Sequence, residues 1–396
     1  MKRILFMSLG SRGDMEPFLA LAAEMQDLGY EVGCCLPAQF KSLAREVSDS
    51  FFPQDKAFLD LLSERDLRMI MGQVGSGLNR IKAIFRLTKL ISPIQYQLIL
   101  DQEKAVNLFK PDLIIFHVKC IYPIFWSLLG KGKIKMLSPM PCMIHAVDKE
   151  PHIGFGNPGP IWWNRFTYRL AIMAQVKKSI LGYGKKFMQE KGFKHSASSI
   201  SHFIREELEV EYAFDTKLFA PPLYWPERAQ VTQFRERNKL QHFTPPDSLV
   251  NFLKKFPNAL YIGFGSMVNA QPAIIGNDIL QVCGEKNIPV IINKSWGGIE
   301  IPETLPDWAF EIDNVPFDYL FPKVAYIIHH GGSGTTHSAF RCGKPQAIIP
   351  HIGDQFFWNR QIELQGCGIS GFPIKKWSKQ QFSQLLEKLV HCSELR

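Results

Sequence analysis

Short apolar runs separated by helically spaced segments recur in two blocks along this chain. In the first block Ile4–Ser8, Glu31–Leu36, Asp112–Phe116 and Lys135–Ser138 read as strands. Between the first two, Glu16 to Leu28 carries apolar residues at helical spacing, with Pro17 suited to a first turn. In the second block Ala259–Phe264, Pro289–Asn293, Phe310–Asp313, Ala325–His329 and Gln346–Pro350 are strand-length, with helical patterns at Ile274–Glu285, Thr335–Cys342 and Gln355–Leu364. Runs that are apolar throughout, with helices as crossovers, predict parallel sheets covered on both faces. The expected fold is therefore α/β, with two such sheets.

The 396 residues allow two or three domains at about 150 residues each. Prolines cluster at Pro221-Pro222, Pro226, Pro245-Pro246 and Pro257, which predicts a first domain over 1–220, a linker and start of the second domain over 221–256, and a second domain over 257–396. Apolar residues at 46% and charged residues at 21% give an ordinary globular mix and argue against disorder or coiled coil. The most apolar longer stretch, Pro111 to Gly130, contains His117, Lys119 and two prolines, so no membrane-spanning helix is expected there. The first apolar run is cut short by Ser11-Arg12-Gly13-Asp14 and reads as a buried strand rather than a secretory signal. Eight cysteines without a C-x-x-C pair suggest reduced thiols in a cytoplasmic protein.

The net charge of +9 permits contact with polyanions. Lys82, Arg86 and Lys89 would share one helical face, and Lys177, Lys178, Lys185, Lys186, Lys191 and Lys194 form a second basic run. Both fit peripheral contact at the inner membrane face, although such runs usually mark a solvated surface. No nucleic-acid module combining aromatic and basic residues is visible.

The strongest chemical signal is His329-His330-Gly331-Gly332-Ser333-Gly334-Thr335-Thr336, which follows an apolar strand and opens a helix. Small residues let the backbone approach a ligand, and the free amides of a helix start face an anion. The spacing matches neither a Walker loop nor a dinucleotide fingerprint. A helix entry capped by Ser and Thr would look the same in isolation. Gly353-Asp354-Gln355 follows one strand later, at the same carboxyl edge of a parallel sheet. Near the amino terminus Asp14 would stand just past the first strand, either as a helix N-cap or as a base.

Together these segments resemble the UDP-glycosyltransferases of GT-B fold, in the branch of sterol glucosyltransferases and bacterial glycosyltransferases of glycopeptides and other natural products. The resemblance runs through Gly10-Ser11-Arg12-Gly13-Asp14 with Pro17, Tyr261–Met267, Asn314-Val315-Pro316 and His329–Gln361. It implies two Rossmann-like domains facing across a cleft that closes on substrate. The first would take the acceptor and the second the nucleotide sugar. His330, Gly332, Ser333, Gly334 and Thr335 would hold the donor diphosphate, with Ser11 and Ser266 adding contacts. Val315 would meet uracil through its backbone, Trp296 would stack, and Asp354 and Gln355 would hold sugar hydroxyls. Asp14 would be the general base of an inverting, metal-independent transfer of a hexose, with glucose expected, and His330 would assist departure of UDP.

UDP-sugar would be a substrate, with no prosthetic group. Pro139-Met140-Pro141 and Glu150-Pro151-His152 resemble the loop before an acceptor pocket, so His152, with Trp162 among nearby aromatics, would line a site for an apolar hydroxylated acceptor such as a sterol or lipid. Phe317 and Ser333 depart from the usual residues of relatives. Relatives of this kind also continue past the last helix, whereas here Ser378–Leu389 is the last helical pattern before Arg396, which fits either weaker docking of the domains or a shortened chain. A GT-B epimerase, or a nucleotide-sugar-binding protein without turnover, would use the same diphosphate cradle.

Overall fold

A computed structural model describes residues 2–62, 77–294 and 297–394. The chain forms two compact units, the first closing at Arg237 and the second running on from Asn238. The first carries β1 (Arg3–Met7), β2 (Glu31–Pro37), β3 (Ser50–Gln54), β4 (Leu113–Phe116), β5 (Lys133–Ser138), β6 (Glu209–Ala213) and β7 (Ala229–Thr232). They pair in the order β3-β2-β1-β4-β5-β6-β7, and every pairing is parallel. The second unit carries β8 (Leu260–Gly263), β9 (Val290–Asn293), β10 (Ala309–Ile312), β11 (Tyr326–His329), β12 (Gln346–Ile348) and β13 (Gly368–Ser370). Their order is β10-β9-β8-β11-β12-β13, again with every pairing parallel.

Each order reverses direction once, between β1 and β4 and between β8 and β11. In a doubly wound sheet this is the place where ligands bind, outside the carboxyl ends of the strands. Strand register makes those ends level. In the first sheet Met7 pairs with both Cys35 and Phe116. In the second, Ile312, Asn293, Gly263, His329, Ile348 and Ser370 form one row.

Continuous apolar strands arise because both faces of each sheet are covered. On β8, Leu260 and Ile262, with Phe264 just beyond, pack into one buried cluster with Phe382 and Leu386. Tyr261 turns to the other face and packs with Phe321 and Val324. Burying a large apolar side chain contributes about 1.5–3 kcal/mol, so these central strands are the most strongly specified parts of the chain.

Four strands escaped the pattern. β3 contains Pro53, which a sheet accepts at an edge position, where β3 lies. β6 alternates Glu209 and Glu211 with apolar residues; Glu211 is buried because Arg235 and Thr232 bond it at 2.8 and 3.0 Å. β7 and β13 are edge strands of four and three residues. The proline-rich stretch expected as a linker therefore holds β7 as well as the helix Asp247–Lys255 of the second unit.

Four helices matter for the sites: α1 (Arg12–Asp27), α2 (Ile161–Gln175), α3 (Ser333–Arg341) and α4 (Gln355–Leu364). Helix α1 starts four residues before the expected Glu16, so Pro17 lies inside it and not in its first turn. The early start has a cause. Ser11 is the N-cap, and the Asp14 carboxylate at the third helical position reaches back to it. The basic segment with Lys82, Arg86 and Lys89 lies on the helix Gly77–Phe109; its side chains lie outside the described residues.

Candidate active site

In the first unit, Asp14 gathers the polar groups that follow β1 and β4. Its Oδ2 accepts from the Ser11 N–H at 2.7 Å and from the Ser11 hydroxyl at 3.2 Å. Its Oδ1 accepts from Lys119 Nζ at 2.9 Å and lies 3.4 Å from His117 Nε2. A β-carbon at Gly10 would fall 2.2 Å from Asp14 Oδ2 and 2.7 Å from Lys119 Nζ. Gly10 also has φ +134, so only glycine both adopts the turn and leaves room for the pair.

Burial alone would raise the Asp14 pKa, but Lys119, His117 and the Ser11 amide outweigh it and hold the carboxyl below its ordinary value. His117 is pushed down to about 4, first by burial and then by Lys119, against the pull of Asp14. It is a neutral imidazole near pH 7, and its buried Nδ1 has no partner among the described residues.

Lys119 also lines a cavity of about 270 Å³ with Phe116, Val118, Met136, His152 and Gln175. That is the lower edge of the roughly 300–1,000 Å³ of small-molecule pockets. His152 thus lines the apolar cavity beside Asp14. Its ring packs edge-on against Tyr168, and burial lowers its pKa to about 4. Trp162 does not line this cavity. It lies on the outer face of α2, 69% exposed, because α2 turns Asn164, Thr167, Tyr168 and Ile172 inward instead.

In the second unit the loop ends of β8, β11 and β12 meet around His330. A β-carbon at Gly265 would lie 2.7 Å from the His330 ring, and one at Gly332 would lie 2.5 Å from it. Two glycines therefore sandwich the imidazole. His330 is buried, and burial, followed by His329 and His351, drives its pKa well below the usual value against a hydrogen bond with the Gly263 backbone. Its Nδ1 has no partner among the described residues.

His329 faces the other way and is structural. Its Nδ1 accepts from the Gly331 N–H at 3.1 Å, and its Nε2 meets Gln346 Oε1 at 2.9 Å. Gly331, at φ +90, then turns the chain into α3, where a β-carbon would strike Ile348 at 2.6 Å. The first bond of α3 runs from Thr336 N to Gly332 O. The amides of Gly334 and Thr335 precede it and point away from the helix body, the arrangement that binds anions. Ser333 is buried, Gly334 is exposed, and Thr335 is half-buried.

Ser266 follows Gly265 and is half-buried. Val315 follows β10; its side chain belongs to the core. Asp354 is the N-cap residue of α4 and is half-buried. Gln355, expected to hold sugar hydroxyls, turns its carboxamide oxygen back onto its own loop. Its Oε1 accepts from the N–H groups of His351 and Ile352 at 2.7 and 3.1 Å, and its Nε2 faces the Met267 sulfur at 3.4 Å. The carboxamide oxygen is thus committed to shaping the loop that presents Asp354. Trp296 lies outside the described residues.

Sequence reasoning missed His117, Lys119 and His351 as site residues. The available signal was position: each follows the carboxyl end of an apolar strand. His351 donates from Nδ1 to Ile349 O at 2.9 Å, and its buried Nε2 has no partner among the described residues.

A family model described as the C-terminal domain of erythromycin biosynthesis protein CIII-like proteins matches residues 279–392. The sterol 3-beta-glucosyltransferase UGT80B1 of Arabidopsis thaliana is 25% identical over 399 residues, covering 98% of this chain and 63% of the relative. The chain thus spans a little under two thirds of that plant relative. Among solved structures, the glycotransferase of kitacinnamycin matches with TM-score 0.68 and 13% identity over 99% of this chain and 92% of its own. The glycosyltransferase VinC, in complex with dTDP, matches with TM-score 0.61 and 17% identity over 99% and 94%. At these identities the structural likeness is one of fold.

Two Rossmann-like units, each with its ligand edge at the strand reversal, define a GT-B fold. Along 98% of its length the chain is similar to a sterol glucosyltransferase, and its residues 279–392 match the EryCIII-like C-terminal domain, so both comparisons point to the UDP-glycosyltransferases.

Proposed function

We propose that the protein is an inverting glycosyltransferase that moves a hexose, glucose, from a UDP-sugar to a hydroxyl of an apolar acceptor of sterol or lipid type. One observation carries the reading: Lys119 both holds the Asp14 carboxylate and lines an apolar cavity, so a base and a site for a hydrophobic molecule share one wall. An acceptor seated there would present its hydroxyl to Asp14. A free hydroxyl is a poor nucleophile, and transfer of its proton to a positioned carboxylate contributes about 10²–10⁴-fold.

The acceptor oxygen forms its bond to the anomeric carbon as the bond from that carbon to the diphosphate breaks, which inverts the centre. The proton passes to Asp14 and the electron pair leaves with UDP. The amides of Gly334 and Thr335 and an N–H of His330 would take up the growing negative charge, with Ser333 and Ser266 as further donors. Val315 would meet the base through its backbone, and Asp354 the sugar hydroxyls. Ser11 serves Asp14 directly, through the two bonds that fix its carboxylate.

The apolar cavity favours transfer to an acceptor over epimerisation of the nucleotide sugar alone, which needs no such space. The name of the plant relative supports a sterol acceptor and glucose, and the bound dTDP of VinC supports a nucleoside diphosphate donor. The test is mass spectrometry of a 3β-hydroxysterol and mixed lipid extracts incubated with the protein and UDP-glucose. A product one hexose heavier is expected. Intact acceptors beside an isomerised nucleotide sugar would overturn the reading.

A further inference from the structure

Helix α2 has two sides with different destinies. Its inner side is buried, and Ala171 and Gln175 reach the apolar cavity lined by Lys119. Its outer side exposes Ile161, Trp162, Phe166 and Leu170 at 55, 69, 45 and 39%. Trp162, Phe166 and Leu170 are four residues apart and so form one stripe. The ring of Tyr224 lies 5.3 Å from the Arg165 guanidinium, which extends the patch to the exposed Leu223–Tyr224 turn. Among the described residues the other large exposed apolar side chains are far apart in sequence, whereas these six adjoin, and such a patch marks an interaction surface.

The charge around the stripe identifies the partner. From Pro151 to Gln189 the chain has no Asp or Glu, yet it carries Arg165, Arg169, Lys177, Lys178, Lys185 and Lys186. All six are exposed. Arg165 is held at 2.6 Å by Asp148, so the other five carry the excess. An apolar stripe with interfacial tryptophan and phenylalanine, and with cations in excess along its segment, has the composition of a helix lying in a bilayer interface.

We propose that the outer face of α2, with the Leu223–Tyr224 turn, seats the protein on a bilayer of anionic lipid. The stripe enters the headgroup region while Arg169 and the four lysines meet lipid phosphates. The arrangement places a membrane-facing side and a cavity wall on one helix, which suits an acceptor that resides in lipid. Docking needs neither donor nor turnover, so it can fail while the glycosyl-transfer reading stands, and the reverse.

The experiment is co-sedimentation of the full chain with vesicles of phosphatidylcholine mixed with phosphatidylglycerol, and with phosphatidylcholine alone. The parent protein should pellet with the anionic vesicles and release as salt rises. The variants Trp162→Ser/Phe166→Ser and Arg169→Glu/Lys177→Glu should each lower partitioning roughly tenfold. Their circular dichroism and thermal midpoints should stay at the parental values, since all four side chains are exposed; if one pair unfolds, the other decides. Three results would overturn the proposal. The parent could stay in the supernatant, both variants could bind like the parent, or sedimentation velocity could show a parental dimer that Trp162→Ser/Phe166→Ser dissolves, which would give the patch to a second copy.

Discussion

The carboxyl ends of β1 and β4 in the first unit and those of β8 and β11 in the second occupy equivalent places in the same strand order. Yet they carry opposite chemistry. The first crowds an acid, a lysine and a histidine within 3.4 Å of one oxygen. The second sets a buried imidazole between two glycines and opens a helix start beside it. A fixed charge suits proton transfer, whereas backbone amides and a neutral ring suit a ligand that brings its own negative charge. The topology supplies the place, and the residues after each strand decide the use.

The largest expected effect falls on the charged edge. Asp14→Asn should lower hexose transfer about 10²–10⁴-fold and leave UDP affinity at the parental value, measured by calorimetry beside a transfer assay. An asparagine oxygen can still accept from Ser11, so the start of α1 should survive.

Next comes a feature that both edges share, the buried neutral histidine. His329, His117 and His145 are almost fully buried, and their pKa values are pushed down to about 4, first of all by burial. The unfolded chain takes up protons below about pH 6.5 while the folded protein resists until about 4. Stability is therefore full above that window and falls as pH drops through it, by about 1–2 kcal/mol per buried histidine at pH 5. Thermal midpoints measured from pH 7 to 5 should fall steadily; a flat profile would show that these rings charge inside the fold.

A smaller effect separates the edges again. Gly332→Ala would crowd the His330 ring, and overpacking costs about 1–3 kcal/mol, so UDP should bind roughly 5- to 150-fold more weakly. The same change should leave the first unit's cavity unaffected. The smallest is a shift of pH dependence. Lys119→Met removes a cation that holds the Asp14 carboxyl down, so the acidic limb of kcat/KM should move upward in pH.

Much of this was legible from the chain. Nine strands, all but β10 internal to their sheets, were legible as short apolar runs, and the glycine run after β11 stood out as the opening of a helix. What stayed hidden has physical reasons. Edge strands such as β3 tolerate Pro53, and β6 conceals a buried Glu211 that only its Arg235 partner explains. His117 and Lys119 looked like interruptions of an apolar stretch, since their partner Asp14 is 105 residues from Lys119. Trp162 read as pocket aromatic because local density of aromatics does not reveal which side of α2 faces inward. Gln355 looked free to bind sugar, because a side chain folding back onto its own loop leaves no mark in the sequence.

The division of labour between the two edges is tested most directly by one sample of Asp14→Asn carried through UDP titration and single-turnover transfer from UDP-glucose to a sterol. The account predicts binding like that of the parent with transfer all but lost. Transfer at the parental rate, or loss of UDP binding, would contradict it.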